Sequence, residues 1–142
     1  MRARKGPIVV AVRGTTPKGL NARNQEWKAG LEEASQKIHG PRVNPETEFS
    51  VEATFHLLPQ DEWRLVDLDN LAKPLLDSLF RPKKLPAPDG TKRLFEADDG
   101  QVVELILRKT VVTEERDQGV EVRVTWTEAG AGLPGFKVSS QE

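Results

Sequence analysis

Three aspartates and a lysine are the residues here whose types and spacing could do chemistry. Asp67 and Asp69 stand two apart in the run Val66-Asp67-Leu68-Asp69-Asn70-Leu71, Lys73 follows two residues on, and Asp98-Asp99 stand just before Gln101-Val102-Val103. In an extended segment, a spacing of two points both carboxylates to one side. Hard carboxylate oxygens are the ligands that magnesium, or manganese in its place, accepts while keeping several waters. Such an ion between carboxylates and a phosphodiester offsets their repulsion, polarises the phosphoryl oxygen and lowers the pKa of a bound water. A lysine beside it can orient the attacking water or stabilise charge on the phosphorane or the leaving oxygen.

The elements that must position these groups follow from hydrophobic period. Pro7–Val12 is a β-branched run ended by Arg13-Gly14 and reads as a strand, and Thr15–Arg23, with Pro17 and Gly19, as a loop. Trp27, Leu31, Ala34 and Ile38 recur at helical spacing from Asn24 until His39-Gly40-Pro41. Phe49 to Leu57 alternates apolar and polar, as a half-buried strand does. Leu71, Leu75 and Leu79 form the apolar back of a second helix. Asp69, Lys73 and Asp77 lie opposite that stripe at intervals of four, and Asp69 or Asn70 stands where an N-cap belongs. Pro74 predicts that the regular helix begins near it or that the first turn is distorted. Arg81–Thr91 reads as a loop. Gln101–Val112 and Gly119–Trp126 read as strands joined by a hairpin through Glu114–Asp117. The predicted order is β-α-β-α-β-β: one α/β (α+β) domain over residues 1–128, a mixed sheet of about four strands with the last two as antiparallel neighbours, two main helices, and a loose tail over 129–142.

The composition narrows the classes. With 142 residues the chain can bury a core without covalent staples. It has no cysteine, which excludes disulfides, thiolate zinc sites and a cysteine nucleophile. His39 and His56 lack zinc spacing, and no phosphate-cradling glycine loop or nucleophile elbow occurs. No apolar stretch is long enough to span a bilayer, and the expected location is cytoplasmic. The net charge of −1 hides an asymmetry, +4 over residues 1–93 and −5 over 94–142. Arg13, Lys18, Arg23, Lys83, Lys84, Lys92 and Arg93 could line a phosphate-binding face.

Taken singly, each piece also has an ordinary structural role. Acids at a helix N-terminus complement the macrodipole, Lys73–Asp77 suits an exposed ion pair, and Asp-Asp-Gly suits a turn. Taken together, Asp67-Leu68-Asp69-Asn70-Leu71, Lys73, Leu76-Asp77-Ser78-Leu79 and Asp98-Asp99 before Gln101-Val102-Val103 resemble the RusA-type Holliday junction resolvases, over about residues 66–80 and 98–109. The resemblance implies that Asp67, Asp69 and Asp99 hold magnesium, that Lys73 is the essential lysine, and that Asn70, Asp77 and Asp98 support the site. It also implies a homodimer that places paired symmetric nicks in four-way DNA junctions during recombination and repair, often phage- or prophage-encoded. Two equivalent sites about a two-fold axis suit a two-fold substrate. The Arg81–Ala97 link is longer than is usual in that family. Trp27, Phe80, Phe95 and Trp126 are candidates for the dimer interface, and Phe95 for a wedge at the junction crossover. Two other functions fit the same residues: a non-catalytic dimer that binds branched DNA, and a metal-dependent phosphoesterase with another substrate.

Overall fold

The structure is a computed structural model and describes residues 4–18, 26–59, 67–81 and 93–127. Among the described residues the elements in chain order are β1 (Arg4–Arg13), α1 (Glu26–Gln36), β2 (Glu48–Leu57), α2 (Leu68–Leu79), β3 (Phe80–Arg81), β4 (Phe95–Asp98), β5 (Val102–Val111) and β6 (Gly119–Thr127). Short 3-10 turns over Asp99–Gln101 and Glu115–Asp117 precede β5 and β6. The expected mixed four-stranded sheet with two helices is present, and among the described residues no helix is long and apolar enough to cross a membrane.

Strand order in the sheet is β1-β6-β2-β5. β6 runs antiparallel to both β1 and β2, and β5 runs parallel to β2. The expectation that β5 and β6 form a hairpin is therefore wrong, because β2 lies between them. Side chains explain this choice. Val120, Val122 and Val124 of β6 are fully buried, so β6 repays a place flanked on both edges. β5 carries Glu104, Arg108 and Lys109 and takes the outer position. The segment between them crosses the end of β2, where the Val112 N–H donates to the Leu57 carbonyl at 2.9 Å. Gly119 opens β6 at φ +145, with its Cα so close to β1 that a Cβ there would stand 1.9 Å from the Val12 carbonyl oxygen.

Both helices lie on the sheet face that carries Phe49, Val51, Ala53 and Phe55. In α1 the buried residues are Trp27, Leu31 and Ser35, and the helix ends at Gln36, two residues before Ile38. The Trp27 ring packs edge-on to Phe55 at 5.8 Å, and its Nε1–H donates to the Lys18 carbonyl at 3.1 Å. In α2 the stripe Leu71, Leu75 and Leu79 is fully buried, as its spacing predicts. Pro74 does not delay this helix: α2 begins at Leu68 and carries Pro74 in its interior, on the buried side. Without an N–H, Pro74 cannot donate the helical bond to the carbonyl one turn earlier.

A second, two-stranded sheet was not foreseen within the Arg81–Ala97 link. β3 and β4 pair in parallel, with Phe80 opposite Phe95. Phe80 and Phe95 stack at 5.1 Å, and both rings lie against Phe49 at 5.0 and 4.9 Å. Trp27, Phe80 and Phe95 are fully buried and Trp126 nearly so, which removes all four from the candidates for an exposed interface. Phe95 is a core residue, not a surface wedge, because it closes this aromatic cluster. The predicted tail lies outside the described residues.

Candidate functional site

The site is built where the end of β4 meets the exposed face of α2. Asp67 is the N-cap of α2, with φ −86 and ψ 137, and its side chain makes no capping hydrogen bond. Asp69 lies in the first helical turn, so neither Asp69 nor Asn70 is the cap. The two aspartates thus share a helix start rather than one side of an extended strand. The Asn70 N–H donates to the Asp67 carbonyl at 3.1 Å. Asp67, Asp69 and Asn70 are all exposed at the positive end of the helix, where anionic groups are favoured.

One turn further, Lys73 projects from the same helix and is about half exposed. Its Nζ donates to Asp77 Oδ1 at 3.0 Å and stands 3.6 Å from Asp99 Oδ2. The chain from α2 to β4 produces this meeting. Phe80 and Phe95 anchor β3 and β4 in the core, and the Arg93 Nε–H donates to the Asp77 carbonyl at 2.8 Å, tying the approach to β4 onto α2. The Asp99–Gln101 turn then brings Asp99 back over the helix.

That turn is held by a capping box. The Asp98 side chain accepts from the Gly100 N–H at 2.7 Å, and the Gln101 side chain accepts from the Asp98 N–H at 3.3 Å. The Gln101 Nε2 group donates to the carbonyls of Asn44 and Thr47 at 2.9 and 3.0 Å, joining the turn to the segment before β2. Asp98 is thereby committed to shaping the turn that carries Asp99. Gln101 is a positioning residue that the sequence reading passed over, although an acid followed three residues later by Gln is a capping signal. The pairing of Arg81 with Glu96 was not foreseen either. Their side chains pair at 2.5 Å beside a cleft of about 310 Å³ between residues 43–45 and the 96–101 segment.

Charge in the site is unevenly compensated. Burial, a hydrogen bond with Asp98 and the nearby negative charge of Asp98 and Asp77 hold the Asp99 carboxyl above its ordinary pKa, with Lys73 opposing them. The hydrogen bond to Asp77 raises the Lys73 ammonium above its usual value, helped by the Asp77 and Asp99 charges and opposed by partial burial. Burial pushes the Glu96 carboxyl up, but the bonds from Arg81 and the Arg93 N–H, with the positive charge of both arginines, outweigh it and hold this acid below the usual range.

The structure brings together Lys73, Asp77 and Asp99, with Asp98 beneath the turn. Among the described residues no three acidic or histidine side chains converge closely enough to hold one metal ion, so the expected triad of Asp67, Asp69 and Asp99 is not gathered around one point. The donors fit magnesium in chemistry, being hard and exposed at a helix N-terminus, but not in arrangement. The positive charge that Asp77 and Asp99 meet is the Lys73 ammonium.

Of the basic residues expected to line one phosphate-binding face, Arg13 and Arg93 do not share one. Arg13 pairs with Glu121 at 3.4 Å and lies opposite Gly119, which is itself opposite His56. The Asp99 turn leads into Val102, opposite Phe49 at the other end of β2, so Arg13 is at the far end of the sheet. Arg93 is only 5% exposed and serves as an internal anchor rather than a surface cation. Lys18 is half-buried, and its carbonyl holds Trp27. Arg23, Lys83, Lys84 and Lys92 lie outside the described residues.

No protein-family model matches the chain, and no curated protein matches it.

Proposed function

We propose that this chain is a magnesium-dependent endodeoxyribonuclease that resolves four-way DNA junctions as a homodimer, as its resemblance to the RusA-type resolvases implies. One observation carries the reading: Asp99, remote in sequence from Lys73, reaches the same helix face and lies 3.6 Å from its Nζ. The Asp-Asp-Gly turn thus returns to the lysine that follows an Asp-x-Asp helix start. In this reading Asp67, Asp69 and Asp99 would hold the ion, magnesium or manganese, after drawing together from the separate positions they occupy here. When bound, the ion supplies Lewis-acid polarisation of the phosphodiester and a more acidic water.

The chain's own groups have separate tasks. The first turn of α2, at the positive dipole end of the helix, favours a phosphate close to Asn70. Lys73, half exposed and held by two carboxylates, presents a fixed cation to developing negative charge. Asp77 and Asp99 keep it charged and limit its rotamers. Asp98 and Gln101 hold the turn that carries Asp99.

The test mixes purified protein with a labelled four-way junction and with linear duplex, in magnesium or chelator, beside Asp69→Asn. Paired nicks in the junction alone, requiring both metal and Asp69, support the reading. Junction binding without cleavage points to a non-catalytic branched-DNA binder. Neither binding nor cleavage points to a different phosphate ester as substrate.

A further inference from the structure

The two edges of the main sheet are built differently. β1 carries Pro7 and a register irregularity between Lys5 and Ile8, features that blunt an edge against further pairing. β5 forms the other edge over ten residues, has no proline, and meets no other strand on its outer side among the described residues. It also exposes apolar side chains, with Val103 63%, Leu105 37% and Val111 49% accessible. A long apolar edge with unpaired backbone groups is a template for another strand.

The strand's sequence says which strand fits. Glu104, Ile106 and Arg108 point to the face away from the helices, where Glu104 accepts from the Ser50 hydroxyl and Arg108 bonds Glu52. Leu105 and Leu107 lie beside Val51 and Ala53 and point to the helix face. The pattern Glu-Leu-Ile-Leu-Arg reads as its own charge complement when reversed about Ile106.

We infer that the outer edge of β5 pairs antiparallel with β5 of a second copy, about a two-fold axis at Ile106. An axis normal to the sheet keeps each face on its own side, so opposed residues must share a face. Pairing about Ile106 sets Glu104 against Arg108 of the other copy twice over, Leu105 against Leu107 twice, and Ile106 against itself. Moving the axis one residue either way sets Glu104 or Arg108 against an apolar or neutral partner. Cross-strand pairs of opposite charge and of large apolar residues are the units that stabilise a sheet. The joint sheet has eight strands, with the helices of both copies on one face. This supplies an interface for the dimer of the proposed function, but its argument stands on β5 alone.

The absence of cysteine makes the test direct. Ile106→Cys is expected to form a disulfide-linked dimer on mild oxidation, whereas Val9→Cys, on β1, is not. Sedimentation then reads the charges. Arg108→Glu alone and Glu104→Arg alone are each expected to weaken self-association by about tenfold, and an equimolar mixture of the two to form a heterodimer, since all cross-pairs are again opposite in sign. Circular dichroism confirms that each variant is folded. A monomeric wild-type protein, cross-linking through Val9→Cys but not Ile106→Cys, or a mixture no more associated than its components overturns the interface. A monomer that still nicks junctions removes the interface and leaves the nuclease; a β5 dimer that never cleaves does the reverse.

Discussion

Lys73 and Asp99 come from different elements and meet with Nζ 3.6 Å from Oδ2, while Asp77 holds the same ammonium at 3.0 Å from one helical turn away. The lysine is 51% exposed, so water and salt screen both pairs and they contribute little to stability. Pairs of this kind are worth about 0.3–0.5 kcal/mol. Lys73→Ala should therefore unfold within about 0.5 kcal/mol of wild type in a urea titration. It should also lose about a hundredfold or more in junction cleavage, in line with removal of a positioned charge stabiliser. Equal losses in both measurements would reduce Lys73 to a structural residue.

Asp99 makes the opposite comparison. Burial and the neighbouring acids raise its carboxyl above the ordinary range. Ionising it in the fold is thus less favourable than in the unfolded chain, and that cost is fully present above the folded pKa and vanishes below the unfolded one. Asp99→Asn should melt at the same or a higher temperature than wild type near pH 7, with the difference fading as pH falls through the carboxylate range. A variant clearly less stable at pH 7 would mean that the Lys73 contact outweighs burial.

His56 offers a pH effect remote from the site. Burial first, and then the Arg13 charge, push its pKa down, with Glu121 and Asp117 opposing. The unfolded chain then binds a proton that the fold resists, so stability falls as pH drops through the unfolded value of about 6.5 and levels off below the folded one. Thermal melts at pH 7.5 and 5 should show a larger loss for wild type than for His56→Gln. Identical losses would show that His56 is not responsible.

Phe95 tests the second sheet. It is fully buried among Phe49, Phe80 and Trp126, and it fixes the approach to the Asp99 turn. Phe95→Ala should cost about 3–5 kcal/mol in unfolding free energy, as truncation of a buried aromatic does. A cost below 1 kcal/mol with selective loss of junction affinity would return Phe95 to the surface role its sequence position suggests.

What the sequence made legible was what depends on period. The Leu71/Leu75/Leu79 stripe, the alternating β2 strand and the helical front of Asp69, Lys73 and Asp77 are local patterns, and local patterns survive folding. The placement of β5 and β6 is not local. It depends on which strand has more to gain from two neighbours, and Val120, Val122 and Val124 decide that only against the rest of the core. Pro74 misled the helix start because tertiary burial of its ring at the core side outweighs one missing hydrogen bond. Arg93 misled the charge reading, since a cation in a loop is ordinarily wet, and here it spans to a helix carbonyl. In the site, the union of Lys73, Asp77 and Asp99 follows from reading Asp98-Asp99 as a partner of α2, but the capping box behind it required Gln101.

Asp69→Asn tests the central claim most directly, through binding and single-turnover cleavage of a four-way junction measured on one preparation. Removing a negative charge beside the phosphate should leave junction affinity unchanged or tighter, while strand cleavage in magnesium falls to background. A variant that cleaves as fast as wild type, or that loses junction binding and cleavage together while remaining folded, would contradict the account.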